Sequence, residues 1–154
     1  MKKWLKLIIS ILIPFLASII GGFFTANSIS TWYSTLNKPF FNPPSWIFGP
    51  VWTLLYLFMG IALFLVWTSK SKNKKYAYVF FGIQIFLNAL WSILFFGLQN
   101  PLFAFIEIIL LWIFILLTII YFYRIHKKTI YLLIPYILWV SFAAVLNYFI
   151  MILN

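Results

Sequence analysis

The side chains that could carry acid-base, nucleophilic or metal chemistry are almost absent from this sequence. Its 154 residues hold one acidic side chain, Glu107, one histidine, His126, and no cysteine. Paired carboxylates, a Ser-His-Asp relay, a thiolate nucleophile and a metal site made of His, Cys and carboxylates each need more such groups. There is no glycine-rich phosphate loop either. We therefore expect no conventional catalytic centre, no bound metal and no cofactor.

Glu107 and His126 each have two interpretations. Glu107 falls within a long apolar run, where an ionised carboxylate is costly, so we expect it to be neutral, hydrogen-bonded or turned towards other helices. It is either a ligand or proton site, or a partner in a structural hydrogen bond between helices. His126 lies in the basic segment RIHKK, where it is either an interfacial residue or an axial ligand of haem.

Amide and aromatic side chains recur at helical spacing in three apolar segments, so that each set lies on one face of a helix. The three sets are Trp52, Tyr56 and Met59; Gln84, Asn88, Trp91 and Phe95; and Trp139, Ala143 and Asn147. Amides are unfavourable against lipid tails, so these faces should point into a bundle. They predict an apolar pocket with a few polar contacts. The alternative is that the amides only join helices and the aromatic residues only pack or lie at the membrane interface.

Five membrane-spanning helices are the predicted elements that carry these faces. The chain is 66% hydrophobic and 8% charged, whereas soluble domains are about 25% charged. A helix needs about 20 apolar residues to cross a bilayer, and such runs occur at 4–26, 46–68, 77–98, 102–123 and 130–153. We predict an all-α, polytopic membrane protein with a single domain over residues 1–154. A signal peptide is the alternative for the first run, although the run exceeds the 7–15 residues of a signal core.

The positive charges predict the orientation of these spans. Every cation except Lys38 lies at or before the start of the first span or in the connections from the second to the third and from the fourth to the fifth. The positive-inside rule then places the N-terminus in the cytoplasm and the C-terminus outside. Because membrane topology accounts for the net charge of +10, we expect no nucleic-acid partner.

A proline-rich loop is predicted between the first two spans. Four of the seven prolines lie between residues 39 and 50, and proline both removes an N–H donor and disfavours helix at the residue before it. The stretch KPFFNPP should therefore be extended and turn-rich. Ser45 is the predicted N-cap of the second span, and Pro50 falls in its first turns, where a missing N–H costs least. We call residues 27–45 the lid loop, because such a rigid segment is suited to cover a bundle.

The first span also carries small residues at four-residue spacing, which lets another helix approach closely. Two such rows lie side by side: Ser18, Gly22 and Ala26, and Ala17, Gly21 and Thr25. The neighbouring helix belongs either to the same bundle or to a second protomer. A homodimer is therefore one of two expectations.

Four motifs in this order resemble a known family. They are W-Y-x-x-L-x-K-P-x-x-x-P-P-x-W at residues 32–46, P-V-W-x-x-L-Y at 50–56, L-N-x-x-W-x-x-x-F-F-G at 87–97, and P-Y-x-x-W-x-x-F-A-x-x-L-N-Y at 135–148. In these residues the chain is similar to the translocator proteins, also called tryptophan-rich sensory proteins or peripheral-type benzodiazepine receptors. The resemblance covers nearly the whole chain.

The resemblance implies a five-helix bundle, commonly dimeric and here of the bacterial cell membrane, with a pocket beneath the lid loop. It implies binding of protoporphyrin and other tetrapyrroles, of isoquinoline carboxamides and benzodiazepines and, in animal members, of cholesterol. Carried over by position, the ligand-binding residues are Tyr33, Pro43, Trp46, Trp52, Tyr56, Asn88, Trp91, Phe95, Trp139, Ala143 and Leu146. Glu107 matches a position where animal members carry an acid.

The sequence departs from the family at the proposed sterol motif. That motif needs a basic residue within five positions after its tyrosine, but Tyr148 is followed by FIMILN. Sterol binding through this motif is therefore not expected, and a porphyrin fits the chain better. Lys38, the one cation on the predicted outer side, is expected to attract the porphyrin carboxylates.

The resemblance also suggests light-dependent breakdown of bound protoporphyrin. Trp52 and Trp139 are then the expected electron donors to the excited pigment, with the photochemistry supplied by the ligand. A transporter of tetrapyrroles or related molecules is the alternative function. The sequence shows no inverted repeat and no ring of charges within the membrane to favour it.

Overall fold

Five long helices make up the protein. The computed structural model describes residues 1–154 and contains no strand. The helices are α1 (Lys3–Ser28), a single turn α2 (Trp32–Thr35) within the lid loop, α3 (Phe48–Thr68), α4 (Lys75–Ser92), α5 (Pro101–Ile125) and α6 (Thr129–Leu153). All except α2 are long and apolar enough to cross a membrane. The five predicted spans and the all-α fold are thus confirmed, and the ends of the apolar helical segments, Lys3–Ser28, Ser45–Thr68, Lys75–Gly97, Pro101–Ile125 and Thr129–Leu153, differ from the prediction by at most two residues.

The long helices form a closed ring. Each packs against two neighbours, in the order α1, α3, α6, α5, α4 and back to α1. We call the end that carries residues 1–6, 69–75 and 124–128 the basic end, and the end that carries the lid loop and residues 98–100 the loop end. Because the ring is closed, any space left between the helices lies inside the bundle.

Helices pack closely in the half of the bundle near the basic end. A Cβ atom added to Gly60 of α3 would lie 2.6 Å from Ile11 Cα and 3.0 Å from the Ser10 carbonyl oxygen of α1. Only glycine allows α1 and α3 to touch at this crossing. On the other side of the ring, the Phe81 and Phe122 rings stack 5.5 Å apart. At these two contacts the helices of this half meet without a gap between them.

The lid loop is fastened to α6. The Phe41 ring packs against Phe142 and Phe149. The Asn37 backbone N–H donates to Asn154 Oδ1 and the Asn154 amide donates to the Asn37 carbonyl, each at 2.9 Å. Residues 36–44 form no helix, as predicted from their prolines. The lid loop is thus an ordered cover whose position is fixed by both aromatic and amide contacts.

Two local features differ from the sequence prediction. Ser45 is not the N-cap of the second span, because the chain enters α3 through a 3₁₀ turn (Ser45–Ile47), and the residue before α3, Ile47, is already helical without a side-chain cap. The third span does not stay α-helical to its end. A π-helical segment (Ile93–Gly97) follows α4, and the Leu98 N–H donates to the Ile93 carbonyl at 2.7 Å.

Candidate functional site

An aromatic cavity occupies the loop-end half of the bundle. It has a volume of about 210 Å³, and residues of all five long helices, of the π-helical segment and of the lid loop line it. Its walls include the five aromatic members of the three predicted faces, Trp52, Tyr56, Trp91, Phe95 and Trp139. The prediction that these faces point into the bundle and enclose a pocket is confirmed.

A chain of hydrogen bonds closes the bottom of the cavity. The Tyr56 hydroxyl donates to Asn88 Oδ1, the Asn88 amide donates to the Tyr136 hydroxyl at 2.8 Å, and Tyr136 donates to Gln84 Oε1 at 2.8 Å. The Gln84 amide then lies 3.9 Å from Met59 Sδ. All five side chains are buried. We call them the floor network. Asn88 therefore lines the cavity with its oxygen and one amide N–H already hydrogen-bonded within the network, and with its second N–H unpaired.

A second amide holds the Trp91 side of the wall. The Trp91 indole N–H donates to Asn147 Oδ1 at 3.0 Å, and the Asn147 amide donates to the Pro101 carbonyl at 2.8 Å. The Trp91 ring stacks on Phe95 with centroids 4.9 Å apart and an angle of 16°. The π-helical segment that contains Phe95 is of a kind often found at functional sites. This wall is therefore a rigid flat aromatic surface.

Trp139 offers the cavity wall an unused hydrogen-bond donor. Its indole nitrogen is buried and has no acceptor in the protein, whereas the indole nitrogens of Trp91 and Trp112 each have one. The Trp139 ring contacts Phe48 and Phe142, with centroids 6.2 and 5.6 Å away. The nitrogen is itself covered by protein atoms, and a buried donor without a partner is costly, so an acceptor atom on a ligand would be stabilised there if the Trp139 ring turned to expose it.

Tyr33 of the lid loop forms the roof. It is buried against Phe48, Phe95 and Phe96, and its hydroxyl donates to Asn42 Oδ1 at 2.8 Å. Burial raises the pKa of Tyr33, and the hydrogen bond with Asn42 opposes this shift. The phenol is therefore neutral at neutral pH. Lys38 lies on the Tyr33 ring, with Nζ 4.8 Å from its centroid and 3.2 Å from the Leu36 carbonyl oxygen.

The cavity opens sideways between α1 and α3. Gly22 of α1 and Gly49 and Thr53 of α3 line the cavity and are also exposed on the outer surface of the bundle. A Cβ atom added to Gly22 or Gly49 would meet no atom within 4 Å. We call this gap the lateral opening. Gly21, one position before Gly22, faces inward, and its Cβ would lie 2.9 Å from Ser92 Oγ of α4, so this part of the small-residue face contacts the same bundle.

The structure brings most of the predicted ligand-binding residues together. Those that line the cavity are Tyr33, Trp52, Tyr56, Asn88, Trp91, Phe95, Trp139, Ala143 and Leu146. Lys38, Pro43 and Trp46 are not part of the lining, and Trp46 is 74% exposed. Sequence reasoning missed the contribution of α1, made by Ser18, Gly21, Gly22 and Thr25. The row of small residues is the signal for it, although by itself that row predicts only a helix contact.

Glu107 and His126 lie outside the cavity lining. Glu107 is 6% exposed and so is turned into the bundle as predicted, but neither carboxyl oxygen has a hydrogen-bond partner. The predicted interhelical hydrogen bond is therefore wrong, because no donor of a neighbouring helix reaches the carboxyl group. His126 ends α5 at the basic end, opposite the cavity.

Comparisons with known proteins agree with the motifs. Residues 10–153 match the model of the TspO/MBR family. The chain is 50% identical over 150 residues to the Tryptophan-rich protein TspO of Archaeoglobus fulgidus, with 97% of each chain covered. It is 49% identical over 136 residues to the Tryptophan-rich protein TspO of Chlorobaculum tepidum, covering 87% of this chain and 86% of that one. It is 34% identical over 140 residues to the Translocator protein of Homo sapiens, covering 89% and 83%.

Proposed function

Because this chain belongs to the TspO/MBR family, we propose that it binds flat, largely apolar ligands, above all a tetrapyrrole such as protoporphyrin, in the aromatic cavity. The protein is an integral, multi-pass membrane protein, so a ligand of this kind is soluble in its surroundings. Isoquinoline carboxamides and benzodiazepines are flat and apolar as well, and we propose that they compete for the same cavity.

One observation supports this proposal most directly, namely that the wall is largely aromatic and that its amide side chains are hydrogen-bonded within the protein. The floor network and the Trp91–Asn147 pair use their own donors and acceptors. Among the lining side chains, the Trp139 indole N–H is the fully buried donor without a partner. Such a wall favours stacking with a ring system that carries few polar atoms, one of which accepts a hydrogen bond from Trp139.

The size of the cavity constrains how a tetrapyrrole binds. The volume of about 210 Å³ lies below the roughly 300–1,000 Å³ of pockets that enclose drug-sized ligands. A macrocycle therefore enters in part and remains partly in the lateral opening, or it displaces lining side chains such as Phe48 and Tyr33. In the first arrangement the porphyrin carboxylates stay outside, on the side of the bundle near the lid loop.

Tryptophan fluorescence in detergent tests the binding site. We expect protoporphyrin to quench the protein saturably, and Trp139→Phe to weaken the affinity about fivefold, since the variant keeps a ring but loses a hydrogen bond of about 1 kcal/mol. Trp4→Phe is the matched control, because Trp4 is 55% exposed at the basic end. Equal affinities for the two variants would contradict the proposed role of Trp139, and quenching that does not saturate would contradict the site.

We also propose that the bound pigment is degraded in light, with Trp52 and Trp139 as electron donors. Both indoles line the cavity, and the Trp52 ring lies 5.6 Å from that of Tyr56. The excited porphyrin takes one electron from an indole, which leaves an indole radical cation and a porphyrin radical anion. Dioxygen, the external oxidant, then adds to a bridging carbon of the porphyrin anion, and the adduct returns one electron to the indole radical cation. The net reaction is addition of O2 to the porphyrin, and cleavage of the O–O bond and of the adjoining ring C–C bond opens the macrocycle.

Illumination of Trp52→Phe and Trp139→Phe with bound protoporphyrin tests this step. We expect slower loss of porphyrin absorbance than in the unmodified protein, and no loss for any form under argon. The quenching titration provides the control that both variants still bind. Degradation that continues at the full rate in variants with retained binding would contradict electron donation by these indoles.

Transport of tetrapyrroles is the second candidate function. The structure favours binding, because the floor network and the close α1–α3 crossing at Gly60 fill the half of the bundle below the cavity. Proteoliposomes that contain the protein should therefore accumulate no protoporphyrin in their lumen beyond that of empty liposomes. Protein-dependent flux that saturates would support the transporter instead.

A further inference from the structure

A small cluster of cations and one indole ring lies at the basic end, where α1, α3 and the connection to α4 meet. Lys6 Nζ of α1 lies 5.7 Å from the centroid of the Trp67 ring of α3. Lys74 Nζ donates to the carbonyl oxygens of Trp67 at 3.0 Å and Ser69 at 2.7 Å. Trp67 thus holds one lysine with its ring and the other with its backbone. We call Lys6, Trp67 and Lys74 the basic cluster.

The protein supplies no negative charge to the basic cluster. The single acidic side chain, Glu107, belongs to α5 and is buried there. The carbonyl oxygens that Lys74 contacts are those at the C-terminal end of α3, which carry only partial charge. Burial lowers the pKa of Lys74, and the charge of Lys6 lowers it further. Two ammonium groups that repel each other are therefore held in place without an anion of the protein between them.

The position of the basic cluster indicates the kind of anion that would complete it. Indole rings near the ends of spans lie at the level of the lipid headgroups, and Trp67 is the last residue but one of α3. Basic pockets between membrane helices bind the headgroups of anionic lipids. An apolar surface beside the cluster is available to acyl chains, because Trp4 and Ile8 of α1 are exposed on the same stretch of helix.

We propose that the basic cluster is a binding site for the phosphate of an anionic phospholipid, with the phosphate between Lys6 and Lys74 and the glycerol region against the Trp67 ring. The site is at the opposite end of the bundle from the aromatic cavity, so it is independent of the proposed ligand. A bound lipid of this kind joins α1 to the connection between α3 and α4 and stabilises the bundle.

Native mass spectrometry of protein extracted from equimolar phosphatidylglycerol and phosphatidylcholine tests the proposal. We expect selective retention of one phosphatidylglycerol by the unmodified protein. Lys6→Gln/Lys74→Gln should lower that retention about 10- to 30-fold, as expected for the loss of two lysines near a lipid headgroup. Lys70→Gln/Lys72→Gln is the matched control, because it removes the same charge from exposed positions of the same connection. Lys6→Arg/Lys74→Arg keeps both positive charges and should retain phosphatidylglycerol about as well as the unmodified protein.

The outcomes separate a lipid site from a general effect of charge and from a site for free phosphate. Equal retention of the two lipids by the unmodified protein would overturn the proposal without any variant. Equal losses in the two double Gln variants would also overturn it, because retention would then follow net charge. In a third arm, inorganic phosphate is added to the protein in detergent and the thermal midpoint is measured. A rise as large as that produced by phosphatidylglycerol would show a site for free phosphate, and not for lipid.

Discussion

The two halves of the bundle are made by the same five helices but differ in how the helices meet. Near the basic end, Gly60 lets α1 and α3 touch, and the side chains of Met59, Ala62 and Val66 are completely buried. Near the loop end, indole rings and a tyrosine roof stand between the helices and leave a cavity of about 210 Å³. Small residues close the first half and large flat residues keep the second open.

This contrast indicates which half of the bundle carries the stability and which half carries the proposed ligand site. The floor network lies at the boundary, since Tyr56 and Asn88 line the cavity while Gln84 and Met59 lie below it. Lipid tails are as apolar as the helix surfaces, so helices in a membrane associate through packing and hydrogen bonds. The closed half and the boundary therefore hold the bundle together, and the open half can be altered with less effect on folding.

The largest effect is expected at the α1–α3 crossing. Gly60→Ala should lower the free energy of unfolding by about 3 kcal/mol, because the new Cβ atom meets backbone that cannot move aside. Thermal unfolding in detergent measures the effect. Gly82→Ala is the control, since a Cβ atom there meets nothing within 4 Å, and it should change stability by less than about 1 kcal/mol. Similar midpoints for the two variants would show that the crossing is not close-packed.

A smaller loss of stability is expected in the floor network, at the boundary between the two halves of the bundle. Asn88→Leu leaves the buried Tyr56 hydroxyl without its acceptor, and this should cost about 2 kcal/mol. Adding Tyr56→Phe in the same chain removes the unpaired hydroxyl and should recover part of the loss. The thermal midpoints of the two single variants and of the double variant give the comparison. If the double variant were as unstable as the sum of the single variants, the floor network would not be a coupled unit.

Removal of the buried acid should stabilise the protein. Both carboxyl oxygens of Glu107 are buried without partners, so Glu107→Met, which keeps the volume and removes the polar group, should raise the free energy of unfolding by about 1 kcal/mol. Glu107→Gln keeps a polar group and should bring little gain. A lower thermal midpoint for the methionine variant would mean that the carboxyl group has a stabilising partner.

The smallest effect, a change in protoporphyrin affinity, is expected at Lys38, on the outer face of the roof. Lys38→Ala should weaken protoporphyrin binding by at most about fivefold, because an exposed ion pair contributes about 0 to 1 kcal/mol. It should also reduce the dependence of affinity on salt, which fluorescence titrations at low and high ionic strength would measure. Lys70→Ala removes an equal charge at the basic end and serves as the control. Unchanged affinity and salt dependence in Lys38→Ala would exclude electrostatic attraction by this residue.

Much of the fold and part of the site could be predicted from the sequence. Long apolar runs fix the five spans, since a lipid environment leaves the backbone few alternatives. The spacing of Asn88, Trp91 and Phe95 places them on one helix face, and the structure shows them in one wall. The prolines of residues 38–44 predict the absence of helix there. These predictions rest on local rules that hold whatever the neighbouring helices are.

Features that depend on two distant segments could not be predicted. To predict that Gly60 lies at the crossing, one would need to know the register of α1 against α3. To predict that Trp91 pairs with Asn147, one would need to know the register of α4 against α6. The π-helical segment has no local sequence signal. The attraction of porphyrin carboxylates by Lys38 stays a prediction. The contact of Lys38 Nζ with the Tyr33 ring depends on how the lid loop folds and could not be predicted.

For the proposed ligands, the lateral opening makes the bilayer the reservoir from which they would enter the cavity. Gly22, Gly49 and Thr53 border it on the surface of helices that cross the membrane, so an apolar ligand reaches it by diffusion in two dimensions after partitioning into lipid. The concentration that governs occupancy is then the one in the bilayer. Apparent affinities should therefore depend on the ratio of lipid to protein, and the order in which ligands bind should follow their partition coefficients as well as their fit.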